Sequence, residues 1–175
     1  MTVGRKKSEK MWQLGDQQIY ETNEYKYLGV MLNKQMTDTN HMSYIGAKMK
    51  KLESYLRYTL AKHKDINRVN FGDNLWRKAI LPSISHASGI WFNTSRKAKS
   101  ELSSHQYSIA KAILKIHSMP SMVATWGELG WLPILESLNI SRISYYSRLI
   151  NMKEDRLTKI VFKELVNTPG VSSFN

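Results

Sequence analysis

The 175-residue sequence is long enough for one domain with a buried core, and its hydrophobic content of 42% is ordinary for a globular protein. No run of about 18 apolar residues occurs, which argues against a hydrophobic membrane-spanning helix. Cysteine is absent, which excludes disulfides, thiolate metal ligands and cysteine nucleophiles. The lack of cysteine fits a reducing compartment, so the expected location is the nucleus or the cytoplasm.

Positive charge is concentrated in the middle of the chain. The formal net charge is +12, and residues 41–115 hold 14 basic and four acidic residues, a local balance of +10. Such a block favours a polyanionic partner, with nucleic acid ahead of a membrane surface. The alternative is a basic protein whose charge serves only solubility.

The first part of the chain is predicted to be extended. Residues 1–10 are expected to form a flexible basic arm, and residues 11–34 a small antiparallel β-meander. Gly15-Asp16 is a two-residue hairpin signal, because glycine takes the positive φ that such turns require. It joins predicted strands at Trp12–Leu14 and Gln17–Tyr20.

The third predicted strand is "YKYLGVML", Tyr25–Leu32, paired with Gln17–Tyr20. Gly29 then falls inside a strand. There it either lets another backbone approach closely or is tolerated at a twisted edge.

From residue 41 onward the hydrophobic period becomes helical, and residues 41–167 are predicted to form a helical bundle. The first helix has an apolar stripe at three- and four-residue steps, formed by Met42, Ile45, Met49, Leu52, Leu56 and Leu60. A second helix is expected from an N-cap at Asp65 to Ile80, before Pro82. The predicted fold class is therefore mainly α, with a small N-terminal antiparallel β-meander followed by a helical bundle.

The second half of the chain has its own boundary signals. Ser95 is predicted to cap a helix that runs to about Ile116, with Pro120 as its breaker. Gly130 suits a left-handed position after a short helix, and Pro133 suits the first turn of the next.

The later helices are predicted to end near Met152 and to span roughly Asp155 to Val166, and residues 168–175 are expected to be a disordered tail. Trp126, Trp131 and Leu132 are expected to anchor the joint between the helical layers.

The sequence offers no catalytic constellation. Its five histidines lack the spacing of a helical metal pair such as H-E-x-x-H, and no glycine-rich phosphate loop occurs. His86 lies in an apolar run and is expected to be a hydrogen-bonded core histidine. Glu154-Asp155 is the only adjacent carboxylate pair, whereas two-metal chemistry needs several carboxylates around the ions. No catalytic residue, metal site or cofactor is therefore predicted.

The clearest chemical signal is one face of the first long helix. At about 100° per residue, six lysines and tyrosines fall within roughly 80° of one another, about 110° round from the apolar stripe. They are Tyr44, Lys48, Lys51, Tyr55, Tyr58 and Lys62. Lysines neutralise phosphates while aromatic rings lie against sugars, so the face suits a nucleic-acid duplex. The alternative is a solvated lysine face whose tyrosines cover the edge of the core.

Three blocks of sequence carry a resemblance to a known family. They are "WQLGDQQIYETNEYKYLGVML", "ILPSISHASGIW", and "ELGWLPI" followed by "YYSRLINM". In this order they resemble the C-terminal part of non-LTR (LINE-type) retrotransposon reverse transcriptases, over about Lys7 to Glu164. The resemblance implies that the helices correspond to the thumb, which lies along the template–primer duplex. It also implies that one short segment corresponds to the primer grip at the palm edge, namely Tyr25, Lys26, Tyr27, Leu28 and Gly29.

The sequence also departs from that family. The catalytic aspartates of the family belong to palm motifs that end in an aromatic-Ala-Asp-Asp signature, and no such sequence occurs here. The family usually has an aromatic residue where this chain has His86. The expectation is a non-catalytic module that binds a duplex, either an RNA–DNA hybrid or another duplex, without a cofactor.

Two alternatives stay open. One is a domesticated protein-interaction module whose partner covers the exposed edge of the meander. The other is a fragment that completes a reverse transcriptase with a separately encoded palm.

Overall fold

A computed structural model describes residues 12–20, 22–35, 37, 39–89 and 95–167. Short β-hairpins come first and helices follow, so the predicted mainly α class is confirmed. The arm predicted for residues 1–10 and the tail predicted for residues 168–175 lie outside the described residues.

The first hairpin forms as predicted. Strands β1 (Trp12–Leu14) and β2 (Gln17–Ile19) pair antiparallel, with Leu14 opposite Gln17. Gly15 in the connecting turn has a φ of +60°. That value lies in the left-handed region, where glycine avoids the Cβ clash of other residues.

The predicted third strand, Tyr25–Leu32, is wrong. This segment is a second hairpin, in which β3 (Glu24–Tyr27) pairs antiparallel with β4 (Val30–Asn33). Leu28 and Gly29, with φ of 45° and 87°, form the turn between them. Two successive positive φ values are what a tight hairpin turn requires, so Gly29 lies in a turn and not inside a strand.

The strands therefore do not form the predicted meander. In the part of the chain that the structure describes, the sheets are two separate two-stranded ribbons, and β2 does not pair with β3.

The first long helix, α1 (Thr39–Lys62), confirms the predicted helical stripe. Leu52 is half-buried and packs against the core. The other five stripe residues are buried: Met42, Ile45, Met49, Leu56 and Leu60.

The second helical segment begins and ends later than predicted. Its N-cap is Asn67 and not Asp65, because the Asn67 side chain accepts a hydrogen bond from the Asn70 N–H at 3.0 Å. Helix α2 (Arg68–Leu75) continues through a π-helical turn (Trp76–Ile80) into α3 (Leu81–Ser85).

Pro82 therefore lies inside this segment and does not end it. It occupies the first turn of α3. Directly before it the Leu81 N–H bonds to the Trp76 carbonyl, five residues back, as in a π-helix.

Helix α4 (Arg96–Leu114) begins at the predicted cap, where Ser95 Oγ accepts from the Ala98 N–H at 3.3 Å. It ends with Lys115 in the left-handed conformation, at a φ of +57°. Pro120 is thus not the residue that ends this helix.

Three further helices complete the described chain: α5 (Met122–Glu128), α6 (Ile134–Ile150) and α7 (Leu157–Asn167). Gly130 has a φ of +60°, which confirms the predicted left-handed position. Pro133 directly precedes α6 instead of lying in its first turn.

One core joins α1 to α6. It includes Trp76 and Ile80 from the π-helical turn and Ile109 from α4, all of which are buried. Helices α2 and α4 approach so closely that a Cβ on Gly72 would collide with the side chain of Ile113. Among the described residues, no helix has the length and apolar character that crossing a membrane requires.

Candidate nucleic-acid interface

The C-terminal half of α1 presents its predicted lysines and tyrosines to solvent. Lys51 and Lys62 are exposed, and the Tyr55 and Tyr58 side chains are 55% and 63% exposed. Lys62 Nζ lies 5.8 Å from the centroid of the Tyr58 ring, within cation–π range. Neither tyrosine is among the partly buried residues that pack against the core. We call Lys51, Tyr55, Tyr58 and Lys62 the α1 cationic surface.

The N-terminal half of the same face is engaged within the protein. Tyr44 is half-buried and packs against the core, and its hydroxyl accepts a hydrogen bond from Lys26 Nζ at 2.9 Å. The same Nζ lies 4.6 Å from the Tyr44 ring centroid. Lys48 Nζ is 3.4 Å from the Ser83 carbonyl oxygen, so this lysine lies between α1 and α3.

The Lys26 ammonium also changes the acidity of Tyr44. Its hydrogen bond is the main cause that lowers the pKa of Tyr44, against a smaller opposing effect of desolvation. The charges of Lys26 and Lys48 lower this pKa further. The Lys26–Tyr44 contact therefore joins a primer-grip-like residue to a residue of the lysine–tyrosine face of α1.

The remaining primer-grip-like residues lie on the β3–β4 hairpin. Side chains alternate across a strand, so Tyr25 and Tyr27 point away from the face on which Lys26 reaches α1. The side chains of Tyr25, Tyr27 and Leu28 are 55%, 58% and 75% exposed.

Two histidines attach this hairpin to the helices. His41 is buried, and its Nδ1 accepts the Met31 N–H at 3.2 Å. His86 Nε2 donates to the Leu28 carbonyl at 2.9 Å, and its ring lies 3.3 Å from where a Cβ on Gly29 would be. His86 is therefore hydrogen-bonded as predicted, but it is exposed, so its assignment to the core is wrong.

A cleft of about 370 Å³ opens between the hairpin turn, α1 and the π-helical turn. Its lining includes the cationic side chains of Lys48 and Lys78 together with the imidazoles of His41 and His86, and it has no carboxylate. We call it the junction cleft. His41 and Lys78 could not be assigned to this cleft from the sequence, because nothing in their spacing relates them to the hairpin.

The single carboxylate of α1, Glu53, points toward α4. Glu53 Oε1 accepts from Arg57 Nε at 3.0 Å and from Ser108 Oγ at 2.5 Å, and Oε2 lies 3.2 Å from His105 Nδ1. Burial raises the pKa of Glu53, but these three hydrogen bonds and the Arg57 charge outweigh it and lower the pKa.

The α1 cationic surface therefore contains no carboxylate of its own helix. Another carboxylate lies at the helix start, where Glu24 accepts from Asn40 Nδ2 at 2.5 Å. The α1 cationic surface begins farther along the helix, at Lys51.

The "ELGWLPI" block is clamped by polar side chains of the helices. Asp73 Oδ1 accepts from Trp131 Nε1 and from Arg77 Nε, each at 2.7 Å, and Trp131 stacks on Trp76 at 4.5 Å between ring centroids. Buried Gln106 donates to the Leu132 carbonyl and accepts from the Ile134 N–H, both at 2.8 Å. The block is thus fixed to α2 and α4.

The predicted anchors of this joint are only partly correct. Trp126 and Trp131 are buried, but the Leu132 side chain is 57% exposed, so its assignment as an anchor is wrong.

No group of three or more His, Asp and Glu side chains within the described ranges lies close enough to hold a metal ion. No protein-family model, curated protein or solved structure matches the chain. The resemblance to reverse transcriptases therefore stays a prediction that rests on the three sequence blocks.

Proposed function

We propose that the protein binds a nucleic-acid duplex along the α1 cationic surface, without sequence specificity. The observation that carries the proposal is the exposure of two lysines and two tyrosines on one helix face that has no carboxylate of its own. The order of the three reverse-transcriptase-like blocks supports the same conclusion. The partner is an RNA–DNA hybrid or another duplex, and the protein acts in the nucleus or the cytoplasm.

The chemistry of the surface sets the mode of binding. Ammonium groups on Lys51 and Lys62 neutralise phosphates, and the rings of Tyr55 and Tyr58 lie against sugars. None of these groups presents the paired donor and acceptor atoms that discriminate one base edge from another. Binding is therefore selective for duplex shape and sensitive to salt.

The role proposed for the chain is non-catalytic. The resemblance covers the primer-grip and thumb region, and the aromatic-Ala-Asp-Asp signature of the palm does not occur in the sequence. Primer extension by the purified chain with magnesium or manganese is the direct test. Template-dependent incorporation without a partner would contradict the proposal, whereas incorporation only after adding a separate palm would favour the fragment alternative.

A second candidate function is docking to another protein through the hairpins. It is favoured by large apolar side chains that are exposed there: Leu14 at 73%, Ile19 at 47%, Tyr20 at 76% and Leu28 at 75%. Clusters of exposed apolar side chains are typical of interaction surfaces. Removing Leu14 and Leu28 together would abolish such docking and leave duplex binding unchanged.

A double substitution tests the duplex proposal. Lys51→Gln with Lys62→Gln removes two phosphate contacts, so the slope of log affinity against log salt should flatten by about 0.9 per lost contact on B-form DNA. Titrations with an RNA–DNA hybrid, a DNA duplex, an RNA duplex and single strands identify the preferred partner. Lys48 is left unchanged, since it contacts the Ser83 carbonyl.

The control removes two exposed lysines elsewhere, by Lys153→Gln with Lys163→Gln, of which Lys163 forms an ion pair with Glu154. Lys159 is unsuitable because it is buried and donates to the Leu149 and Ile150 carbonyls. The two double variants should differ in both affinity and salt slope. Equal binding by both, with the wild-type slope, would mean that the α1 cationic surface is only a solvated face.

A further inference from the structure

A groove of about 520 Å³ lies between the C-terminal halves of α1 and α4. Basic side chains dominate its polar lining, which contains no carboxylate. They are Arg57, Arg68, Lys111, Lys115 and His117. We call it the α1–α4 groove.

The groove is separate from the α1 cationic surface. On a helical wheel, Arg57 lies about 140° round from the centre of the lysine–tyrosine face. A ligand in the groove therefore contacts the opposite side of α1, and its binding does not depend on the function proposed above.

Several of the cations are held in place by the protein. The Arg68 guanidinium donates to the Leu60 carbonyl at 3.2 Å and to the Ala112 carbonyl at 2.7 Å. Its Nε is buried and has no hydrogen-bond partner among the described residues. Lys111 Nζ lies 5.4 Å from the Tyr107 ring centroid, and the Tyr107 hydroxyl is fixed by the Pro120 carbonyl at 2.7 Å.

The charges of the groove are only partly neutralised. Arg57 is paired with Glu53, so its charge is largely compensated. Lys111 and Lys115 have no such carboxylate in the lining. Both also lie at the end of α4, where cations offset the partial negative charge of a helix C-terminus, but that charge is only about half a unit. An excess of positive charge remains.

We propose that the α1–α4 groove is a phosphate-binding site. A phosphate group fits because its oxygens accept charge-assisted hydrogen bonds from several cations at once. Lys111 and Lys115 supply ammonium donors, and Arg68 supplies a fixed positive charge behind them. The phosphate belongs either to a free anion of the pyrophosphate type or to the backbone of a nucleic acid.

The first experiment titrates the folded protein with inorganic pyrophosphate and follows amide and arginine Nε signals by NMR. Saturable shifts should appear at residues 111–117 and at Arg68. The variant Lys111→Gln with Lys115→Gln should bind about tenfold or more weakly, because it loses two charge-assisted donors to the phosphate oxygens. Lys115→Gln alone, at an exposed residue, should show a smaller loss of the same kind.

The matched control is Lys97→Gln with Lys99→Gln, which removes two exposed lysines from the other end of the same helix. It should leave pyrophosphate binding unchanged. The proposal is overturned if no saturable shifts occur, or if the two double variants bind pyrophosphate equally. Either result would assign the groove cations to helix capping alone.

A second experiment, duplex binding by the same variants, identifies the source of the phosphate. If the Lys111 and Lys115 substitutions also weaken duplex binding, the site holds a nucleic-acid backbone; if they weaken pyrophosphate binding only, it holds a free anion. Either result supports phosphate binding in the α1–α4 groove. The duplex proposal is judged separately on Lys51 and Lys62, so one proposal can fail while the other holds.

Discussion

At the residue scale, Gly130 is a position where backbone conformation alone limits substitution. Its φ is +60°, and the nearest atom to an added Cβ is Arg77 Nη2 at 3.8 Å, so space is not the constraint. We expect Gly130→Val to lower the free energy of unfolding by about 1 to 2 kcal/mol or more, because a β-branched residue resists positive φ. Chemical denaturation measures the loss.

Gly127 provides the matched control for that prediction. It lies in α5, has no atom within 4 Å of an added Cβ and does not have a positive φ. Gly127→Ala should therefore stabilise the protein by up to about 1 kcal/mol, whereas Gly130→Ala should destabilise it. Equal effects of the two alanine substitutions would contradict the conformational explanation.

Single residues differ in how far the sequence predicts their conformation and contacts. Gly130 was predictable because the glycine follows a short helical pattern and precedes a proline. Gly29 was placed in a strand because the apolar run "YLGVML" continues across it. The partner of His86 is the Leu28 carbonyl, 58 positions away, which no local pattern encodes.

At the scale of elements, the β3–β4 hairpin depends on two histidines of the helical part. We expect His86→Ala to increase hydrogen exchange at the amides of the hairpin by about fivefold, since one hydrogen bond contributes about 1 kcal/mol. Exchange measured by NMR tests this. His63→Ala, at an exposed position after α1, is the control and should leave the hairpin amides unchanged. Unaltered exchange in both variants would show that His86 does not hold the hairpin.

The contact between α1 and α4 should depend on pH through Glu53. Because the pKa of Glu53 is lower in the folded protein than its ordinary value of 4.5, its contribution to stability is complete above that value. The contribution is lost as the pH falls through the folded pKa. The free energy of unfolding of the wild type should therefore decrease below about pH 4.5.

Glu53→Gln isolates this contribution. The variant should lose about 1 to 3 kcal/mol of stability at neutral pH, as expected for hydrogen bonds to a charged group. The difference from wild type should shrink as the solution is acidified. Urea unfolding at several pH values measures it, and a difference independent of pH would mean that ionisation of Glu53 does not link the helices.

Helices were easier to predict than their boundaries. The stripe on α1 extends over several turns, so hydrophobic periodicity identified it unambiguously. The start of α2 was misplaced because Asp65 and Asn67 are both good N-caps. The sequence did not predict that the helical segment continues past Pro82, because the preceding π-helical turn has no distinct sequence signal.

At the scale of the whole molecule, a candidate site could be predicted only where all of its residues lie on one helix. The α1 cationic surface follows from residue spacing on a single helix. The junction cleft joins α1, the β3–β4 hairpin and the π-helical turn, and the α1–α4 groove joins residues as distant as Arg57 and His117. Sites of that kind depend on tertiary packing, so the sequence alone could not reveal them.

The length of the α1 cationic surface sets the length of duplex that one molecule can contact. From Lys51 to Lys62 the helix rises by about 17 Å at 1.5 Å per residue. At about 3.4 Å per base-pair step, this corresponds to about five base pairs. We therefore expect affinity, corrected for the number of binding registers, to increase with duplex length up to about five or six base pairs and then to level off.

Fluorescence anisotropy with duplexes of about 4, 8 and 16 base pairs tests this arrangement. The increase in affinity between the two shorter duplexes should be large in the wild type, because the shortest duplex is about 10 Å long and cannot reach both Lys51 and Lys62. It should be small in the variant with both lysines replaced by glutamine, since that variant has lost the contacts that the longer duplex gains. If the shortest duplex binds the wild type as tightly as the longest, the duplex crosses α1 at one point instead of lying along it.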